Sequence, residues 1–427
     1  MTRILIITIG SRGDIQPFVA LGKSLQIAGY EVALQTPETY KPFVQGYELP
    51  YLYMNNDFMK LTESQAGQAA TDGGSKLDLM KQVMPVLRQM LEDEWQGARD
   101  FQPDAIICHP KSLGGYHLAE KLGIPFFQAL ALPLFTPTSA YPTPIMSGIR
   151  LGGRFNRFSY RLMALSTAPY VGIINDFRVK TLGLTKRGRF ASELMKPNGE
   201  PVPMLYAYSP HVLPVPQDYP SHVHVTGYWF LDRNEDWQPS DDLVRFLESG
   251  TPPVYIGFGS MSGTRAPERT RIVLAALAKT GQRGLLASGW GGLKASDLPA
   301  NVFMLEQAPH DWLFPRVSAV VHHGGAGTTA AGLRAGKPAV IVPFIADQPF
   351  WGKVVHELGV GVEPIPQKKL TLEALSAAIS QAVNDADMRR RAEAVGEKVR
   401  AENGTGNAMK VIAHQLGQNQ MSAVSGK

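Results

Sequence analysis

Val321-His-His-Gly-Gly-Ala-Gly-Thr-Thr-Ala-Ala-Gly332 is the stretch on which the fold class turns. The apolar run Ala319–His322 leading into it reads as a short buried strand. The threonines and alanines after Gly327 read as the start of a helix. A strand that breaks into glycines and re-forms as a helix lets backbone amides approach an anion, with the helix dipole behind them. The amides of Gly327, Thr328 and Thr329, the Thr328 hydroxyl and the imidazole of His323 are the expected phosphate donors. His322, one residue further into the strand, reads as a core histidine. The segment Gly325-Ala-Gly327-Thr-Thr-Ala330 also fits a dinucleotide fingerprint, and Asp347 follows Gly327 by 20 residues, where a ribose-binding acid would stand. Against a nicotinamide or flavin site, the fingerprint lies late in the chain, while the first half has a glycine turn of its own. A tight turn with no ligand is the plainest alternative.

The same unit recurs on both sides of this loop. Ile4–Ile9 reads as a strand, Gly10-Ser-Arg-Gly-Asp14 as a turn, the run from Gln16 to Gly29 as a helix, and Glu31–Gln35 as the next strand. Ala105–Cys108, a helix around Gly115–Leu122 and Phe126–Ala129 repeat the pattern. Residues 135–189 carry Pro, Tyr, Phe, Met and Arg in quantity and read as an insertion lining a pocket. Prolines between Pro197 and Pro220 mark a crossover. Beyond it Pro253–Gly259, Gly284–Ser288, Val302–Leu305, Ala319–His322 and Ala339–Pro343 read as strands alternating with helices. The alternation predicts two consecutive doubly wound α/β domains. In such sheets ligands bind beyond the carboxyl ends of the strands. The two glycine loops, Gly10–Asp14 and His322–Thr329, should therefore face one cleft.

The 427 residues exceed one ordinary core, and 44% hydrophobic with 19% charged residues is a globular composition. A net charge of +5 is mild for this length, and Arg389-Arg-Arg391 is too short a run to grip nucleic acid. The single cysteine, Cys108, forms no disulfide framework and reads as a buried strand residue, which fits a reducing cytosol. The first apolar run is too short for a secretory signal, and no stretch is long enough to span a bilayer. Metal-site spacings are not evident. Asp385-Ala-Asp387 has an Asp-x-Asp spacing but lies in a polar stretch near the C-terminus, so it reads as a decoy. Asp14, in a turn at a strand end, has two readings that spacing alone leaves open: a general base, or a cap accepting hydrogen bonds from the following helix. Arg12 would hold it by charge or stay solvated.

Gly10-Ser-Arg-Gly-Asp-Ile-Gln-Pro17, Gly257-Phe-Gly-Ser260, the stretch from Pro309 to Gly352 and the segment Asn175–Leu184 resemble, in order and over nearly the whole chain, the UDP-glycosyltransferase family. The likeness is greatest to sterol 3-β-glucosyltransferases and their bacterial relatives. It implies the GT-B fold, two Rossmann-like domains facing a cleft. Residues 1–215 would bind the acceptor, 216–240 link, 241–400 bind the donor, and 401–427 form a C-terminal helix and tail packing back on the first domain. It implies that His323, Gly325, Ala326, Gly327 and Thr328 hold the donor diphosphate with Ser260, and that Asp347 and Gln348 bind the sugar. Arg12 and Gly13 would border the donor. Asp14, helped by Ser11, would take the proton of the acceptor hydroxyl in an inverting displacement needing neither metal nor cofactor, the UDP-sugar being a co-substrate. Plant members carry a uracil-stacking tryptophan where this chain has Gln307-Ala-Pro-His310, which leaves Trp312 as the candidate.

Pro110–Ser112, Leu132–Tyr141 and Ile145–Met163 are expected to line the acceptor pocket, with Phe135, Tyr141 and Met163 touching a flat hydrophobic alcohol. Arg150, Arg154, Arg157 and Arg161 interleave with aromatics, which raises a peripheral membrane contact; a solvated face is the plainer reading. The alternatives are a natural-product glycosyltransferase, with a TDP-sugar as a further donor, and an inactive sugar-nucleotide-binding protein.

Overall fold

The structure is a computed structural model. It describes the chain except residues 58–59, 62–75, 150, 189–192, 197, 235, 259–265, 288–297 and 426–427; of 76–81, 163–167, 266 and 418–425 it describes the backbone alone. Two parallel sheets form. The first holds β1 (Arg3–Ile7), β2 (Glu31–Gln35), β3 (Tyr51–Leu52), β4 (Ala105–Cys108), β5 (Phe126–Leu130), β6 (Met204–Tyr206) and β7 (Val223–Val225), in the order β3-β2-β1-β4-β5-β6-β7. The second holds β8 (Val254–Gly257), β9 (Gly284–Ala287), β10 (Val302–Leu305), β11 (Ala319–His322) and β12 (Ala339–Ile341), in the order β10-β9-β8-β11-β12. The central strands are short, apolar and almost wholly buried, as parallel strands covered on both faces must be, whereas β3 and β7 at the edges are half-buried.

In each sheet the winding reverses once. The reversal falls between β1 and β4 in the first and between β8 and β11 in the second. Loops diverge at those points and leave a crevice at the carboxyl ends. β1 runs into helix α1 (Arg12–Ile27), and β11 into helix α2 (Ala326–Arg334). Helix α1 starts four residues earlier than the apolar periodicity alone predicts, so Asp14 lies in its first turn rather than ahead of it. Gly13 and Pro17 depress helix propensity there, but a carboxylate in the first turn stabilises the helix start.

The proline-rich crossover is also more structured than its composition suggests. It carries β6 and β7, and β7 lies within 216–240, so the first sheet runs past residue 215. Both strands are three residues long, too short to show a period beside the prolines.

One apolar cluster spans the two domains, joining Met204, Tyr206, Tyr208 and Tyr228 to Ile341, Phe350, Trp351 and Val355. The helix at Gly404–Ser425 buries Ala408, Ile412 and Leu416 in the first domain's core beside Phe18 and Trp229. The chain thus crosses between domains twice. The crossings touch where Gly227, at φ +95°, lies 3.3 Å, measured from an added Cβ, from the Gly404 Cα.

Candidate active site

The first half-site forms where β1 and β4 end side by side. Gly10, at φ +134°, turns the chain so that Asp14 folds back under it; a Cβ there would overlap the Asp14 carboxylate and come within 2.9 Å of Lys111 Nζ. Ser11 donates to Asp14 Oδ2 from its amide at 2.8 Å and its hydroxyl at 3.1 Å. Asp14 therefore does cap the helix start, by accepting the Ser11 amide, and still presents its other oxygen. The loop after β4 supplies two partners that sequence reasoning missed. Lys111 Nζ donates to Oδ2 at 2.8 Å, and His109 Nε2 faces Oδ1 at 3.5 Å. The Lys111 amide donates to His109 Nδ1 at 3.2 Å, so the neutral ring carries its proton on Nε2, toward Asp14.

Burial alone would push the Asp14 carboxyl up, but the Lys111 ammonium, with His109 and Ser11, outweighs it and holds the carboxyl below the usual aspartate value. Burial also pushes His109 down to about 4, against the pull of Asp14. Residues 110–112 are thus not an apolar wall. Lys111 belongs to the carboxylate, and Ser112 donates at 2.9 Å to Glu94, whose buried carboxyl is pushed up to about 8. Arg12 points elsewhere: its Nε donates to Gln16 at 3.2 Å and its guanidinium sits 4.7 Å from the Phe43 ring.

The second half-site forms where β8 and β11 end together, His322 lying in register with Gly257. His322 is fully buried and accepts the Gly324 amide on Nδ1 at 3.1 Å, a core histidine. His323 packs over the loop: a Cβ on Gly325 would stand 2.5 Å from its Nε2. Burial pushes His323 down to about 4, so it is a neutral hydrogen-bonding group near pH 7. Gly324, at φ +90°, lets the loop run against helix α3 (Gln348–Glu357), where a Cβ would be 2.8 Å from Ile341 Cγ2 and 3.0 Å from the Gln348 carbonyl oxygen. Gly325 is the N-cap of α2, leaving the first amides of that helix open to the cleft.

Ala346 adopts φ 56°, a left-handed backbone uncommon outside glycine, and this kink delivers Asp347 and Gln348 to the cleft. Gln348 Oε1 accepts the amides of Phe344 at 2.7 Å and Ile345 at 3.1 Å, which leaves its Nε2 as the donor for a ligand. Burial raises the Asp347 carboxyl; the Asp14 charge adds to the rise and the Lys111 charge opposes it. The two half-sites therefore sense each other. They also meet directly, because a Cβ on Gly327 would stand 3.8 Å from the Gly13 Cα. The N-termini of α1 and α2 and the carboxylates of Asp14 and Asp347 converge on a single crevice.

Other predicted residues lie further out. Ser260 is outside the described residues, and so is the side chain of Met163. Trp312 borders a pocket of about 460 Å³ with Asp232, Arg233, Trp237 and Asp311, on the linker side. Arg316 lies 4.3 Å from its ring centroid, over one face, and Trp237 meets it at a steep angle with the ring centroids 5.2 Å apart. Phe135 and Tyr141 are half-buried against the interdomain cluster, the Tyr141 hydroxyl bonding that of Tyr219 at 2.8 Å. Asp385 caps a helix, accepting the amides of Asp387 at 3.0 Å and Met388 at 2.9 Å, which accounts for the Asp-x-Asp spacing. Cys108 is a buried thiol in β4. Among the described residues no helix is long and apolar enough to cross a membrane.

Comparison with known proteins adds to this geometry. Residues 4–142 match the glycosyltransferase family 28 N-terminal domain, and residues 290–415 match the erythromycin biosynthesis protein CIII-like C-terminal domain. A sterol 3-beta-glucosyltransferase of Arabidopsis thaliana is 37% identical over 97% of this chain, which spans 66% of that protein. One from Emericella nidulans is 35% identical over 97% of the chain, which spans 30% of it. The chain thus spans less than two thirds of these relatives. Among solved structures, the glycotransferase of kitacinnamycin superposes with a TM-score of 0.73 at 18% identity, covering 97% of this chain and 99% of that one. A Streptomyces glycosyltransferase complexed with thymidine diphosphate superposes with a TM-score of 0.62 at 21% identity, covering 97% and 100%.

Proposed function

The chain belongs to the GT-B glycosyltransferases, in the group of the sterol glucosyltransferases, and on that premise we propose that it transfers glucose from UDP-glucose to the hydroxyl of a sterol-like hydrophobic acceptor, with inversion. The observation that carries this is the convergence of Asp14 and the α2 N-terminus, with Gly13 against Gly327, on one crevice. In this reading the diphosphate lies on the first amides of α2, beside Gly325, Ala326, Gly327, Thr328 and the neutral His323, where the helix dipole favours its charge. Asp347 and the Gln348 amide hold the sugar hydroxyls.

Asp14 removes the proton of the acceptor hydroxyl. The freed oxygen pair attacks the anomeric carbon from the face opposite the diphosphate, and the bond to the diphosphate oxygen breaks. UDP leaves with that electron pair, and the proton stays on Asp14 until solvent takes it. Lys111 has two parts in this scheme. Its charge keeps Asp14 ionised, and by holding Oδ2 it leaves Oδ1 as the oxygen for the acceptor hydroxyl. Stabilising the departing diphosphate is the larger electrostatic contribution.

A TDP-sugar donor is the second reading, favoured by the thymidine diphosphate complex of a protein with the same fold. Calorimetric titration with UDP, TDP and NADH separates these readings, and UDP binding alone supports the first. Asp14→Ala should then abolish transfer from UDP-glucose to cholesterol while UDP still binds. Normal transfer by this variant would remove Asp14 as the base.

A further inference from the structure

Residues 144–149 and 151–161 form a surface whose composition the transfer reaction does not use. Between residues 145 and 158 four large apolar side chains face solvent: Ile145 at 52% exposure, Ile149 at 40%, Leu151 at 69% and Phe158 at 51%. The helix at Gly153–Thr167 is two-faced. Its inner side buries Asn156, Ser159 and Tyr160, fixed by bonds from Asn156 to the Ser139 carbonyl at 2.8 Å and from the Thr143 amide to the Ser159 hydroxyl at 2.8 Å. Its outer side carries Arg154, Arg157, Phe158 and Arg161, spaced as one helical stripe.

Arg157 pairs with Asp218 at 3.0 Å, whereas among the described residues Arg154 and Arg161 pair with no carboxylate. From Lys121 to Asn175 the sequence contains no Asp or Glu. Exposed arginines in an acid-free segment, set among protruding aliphatic and aromatic side chains, complement an anionic bilayer surface. The apolar tips enter the headgroup boundary and the guanidinium groups meet phosphates. A second copy of the chain would set this unneutralised positive charge against itself.

We infer that the surface of residues 145–149 and 151–161 docks the protein on anionic phospholipid bilayers, with Leu151 and Phe158 as the inserting side chains and Arg154 and Arg161 as the phosphate contacts. The docking is reversible and salt-sensitive, because it uses a few side chains rather than a spanning helix. It stands independently of the transfer reaction. It also sets the membrane beside Tyr141, whose carbonyl accepts the Tyr160 hydroxyl at 3.4 Å across the root of the patch.

Flotation of the full chain with phosphatidylcholine vesicles, with and without phosphatidylglycerol, tests this. Binding should require phosphatidylglycerol and fall with salt. Arg154→Glu with Arg161→Glu should lower it tenfold or more, about the effect expected when two surface cations are reversed. Leu151→Asp with Phe158→Asp should do the same while leaving the melting temperature unchanged, since both sites are exposed. As a second measurement, Leu151→Trp should gain quenching by brominated lipid relative to the parent. Three results would overturn the inference: no binding to phosphatidylglycerol vesicles, equal binding by the variants, or a dimer in sedimentation velocity that the same substitutions dissolve. The last would make the patch a self-association surface.

Discussion

Replacing Lys111 with methionine isolates the group that holds the proposed base ionised. The ammonium lies 2.8 Å from Asp14 Oδ2, with side-chain exposures of 50% for Lys111 and 20% for Asp14. An opposite charge this close lowers a carboxyl by about 1–3 pH units. Solvent screening of the half-exposed lysine favours the low end, about one unit. Without it, burial loses the strongest of the pulls that oppose it, and Asp14 titrates higher than in the parent. The other groups facing it, His109 beyond β4, Ser11 on its own helix and Asp347 across the cleft, are unchanged.

The acid limb of kcat/KM should therefore move up by about one pH unit, because that limb reports the base in the free enzyme. UDP affinity should hold. Stability follows the same sign. In the parent, the depressed Asp14 contributes stability above the unfolded value of about 3.9, lost as pH falls through its folded value. In Lys111→Met the carboxyl is raised, so the variant should melt lower than the parent at neutral pH, and the gap should close in acid. An acid limb that stays put or moves down would refute both the clamp and the electrostatic reasoning behind it.

Burial holds His323 near pKa 4, so UDP affinity should be flat from this group across neutral pH and strengthen only as pH falls toward that value; calorimetry at several pH values checks it. His323→Ala should weaken UDP binding roughly tenfold or more, the worth of a hydrogen bond to a charged group. Gly324→Ala forces a side chain into φ +90° against Ile341 and Gln348, and should cost about 1–3 kcal/mol in denaturant unfolding while also weakening UDP binding. Asp385→Ala should cost about 1 kcal/mol as a lost helix cap yet leave transfer unchanged with or without EDTA; loss of transfer would restore the metal reading of that pair.

The glycine loops were legible because a loop between a buried strand and a helix has few physical uses. Ala105–Cys108, Val302–Leu305 and Ala319–His322 form as strands at the bounds read from their apolar runs. The pair Lys111 and Asp14 was not legible. They are 97 positions apart, and they meet only because β1 and β4 lie side by side, a fact of strand order rather than of local pattern. β6 and β7 stayed hidden because a three-residue strand among prolines has no period to read. Trp312 was legible as an aromatic at a suitable place in the motif, but the Arg316 guanidinium over its ring was not.

The two touching crossings, at Gly227 and Gly404, bear on how this protein can be rebuilt. Topologically the second domain is a cassette inserted into the first, entered and left through one narrow doorway. A chimaera that takes its donor half from another protein should splice at both edges of that doorway and keep the last helix with its own first half. A single cut near the middle of the chain would pair a foreign Ala408–Leu416 face with the Phe18 and Trp229 core it must fill.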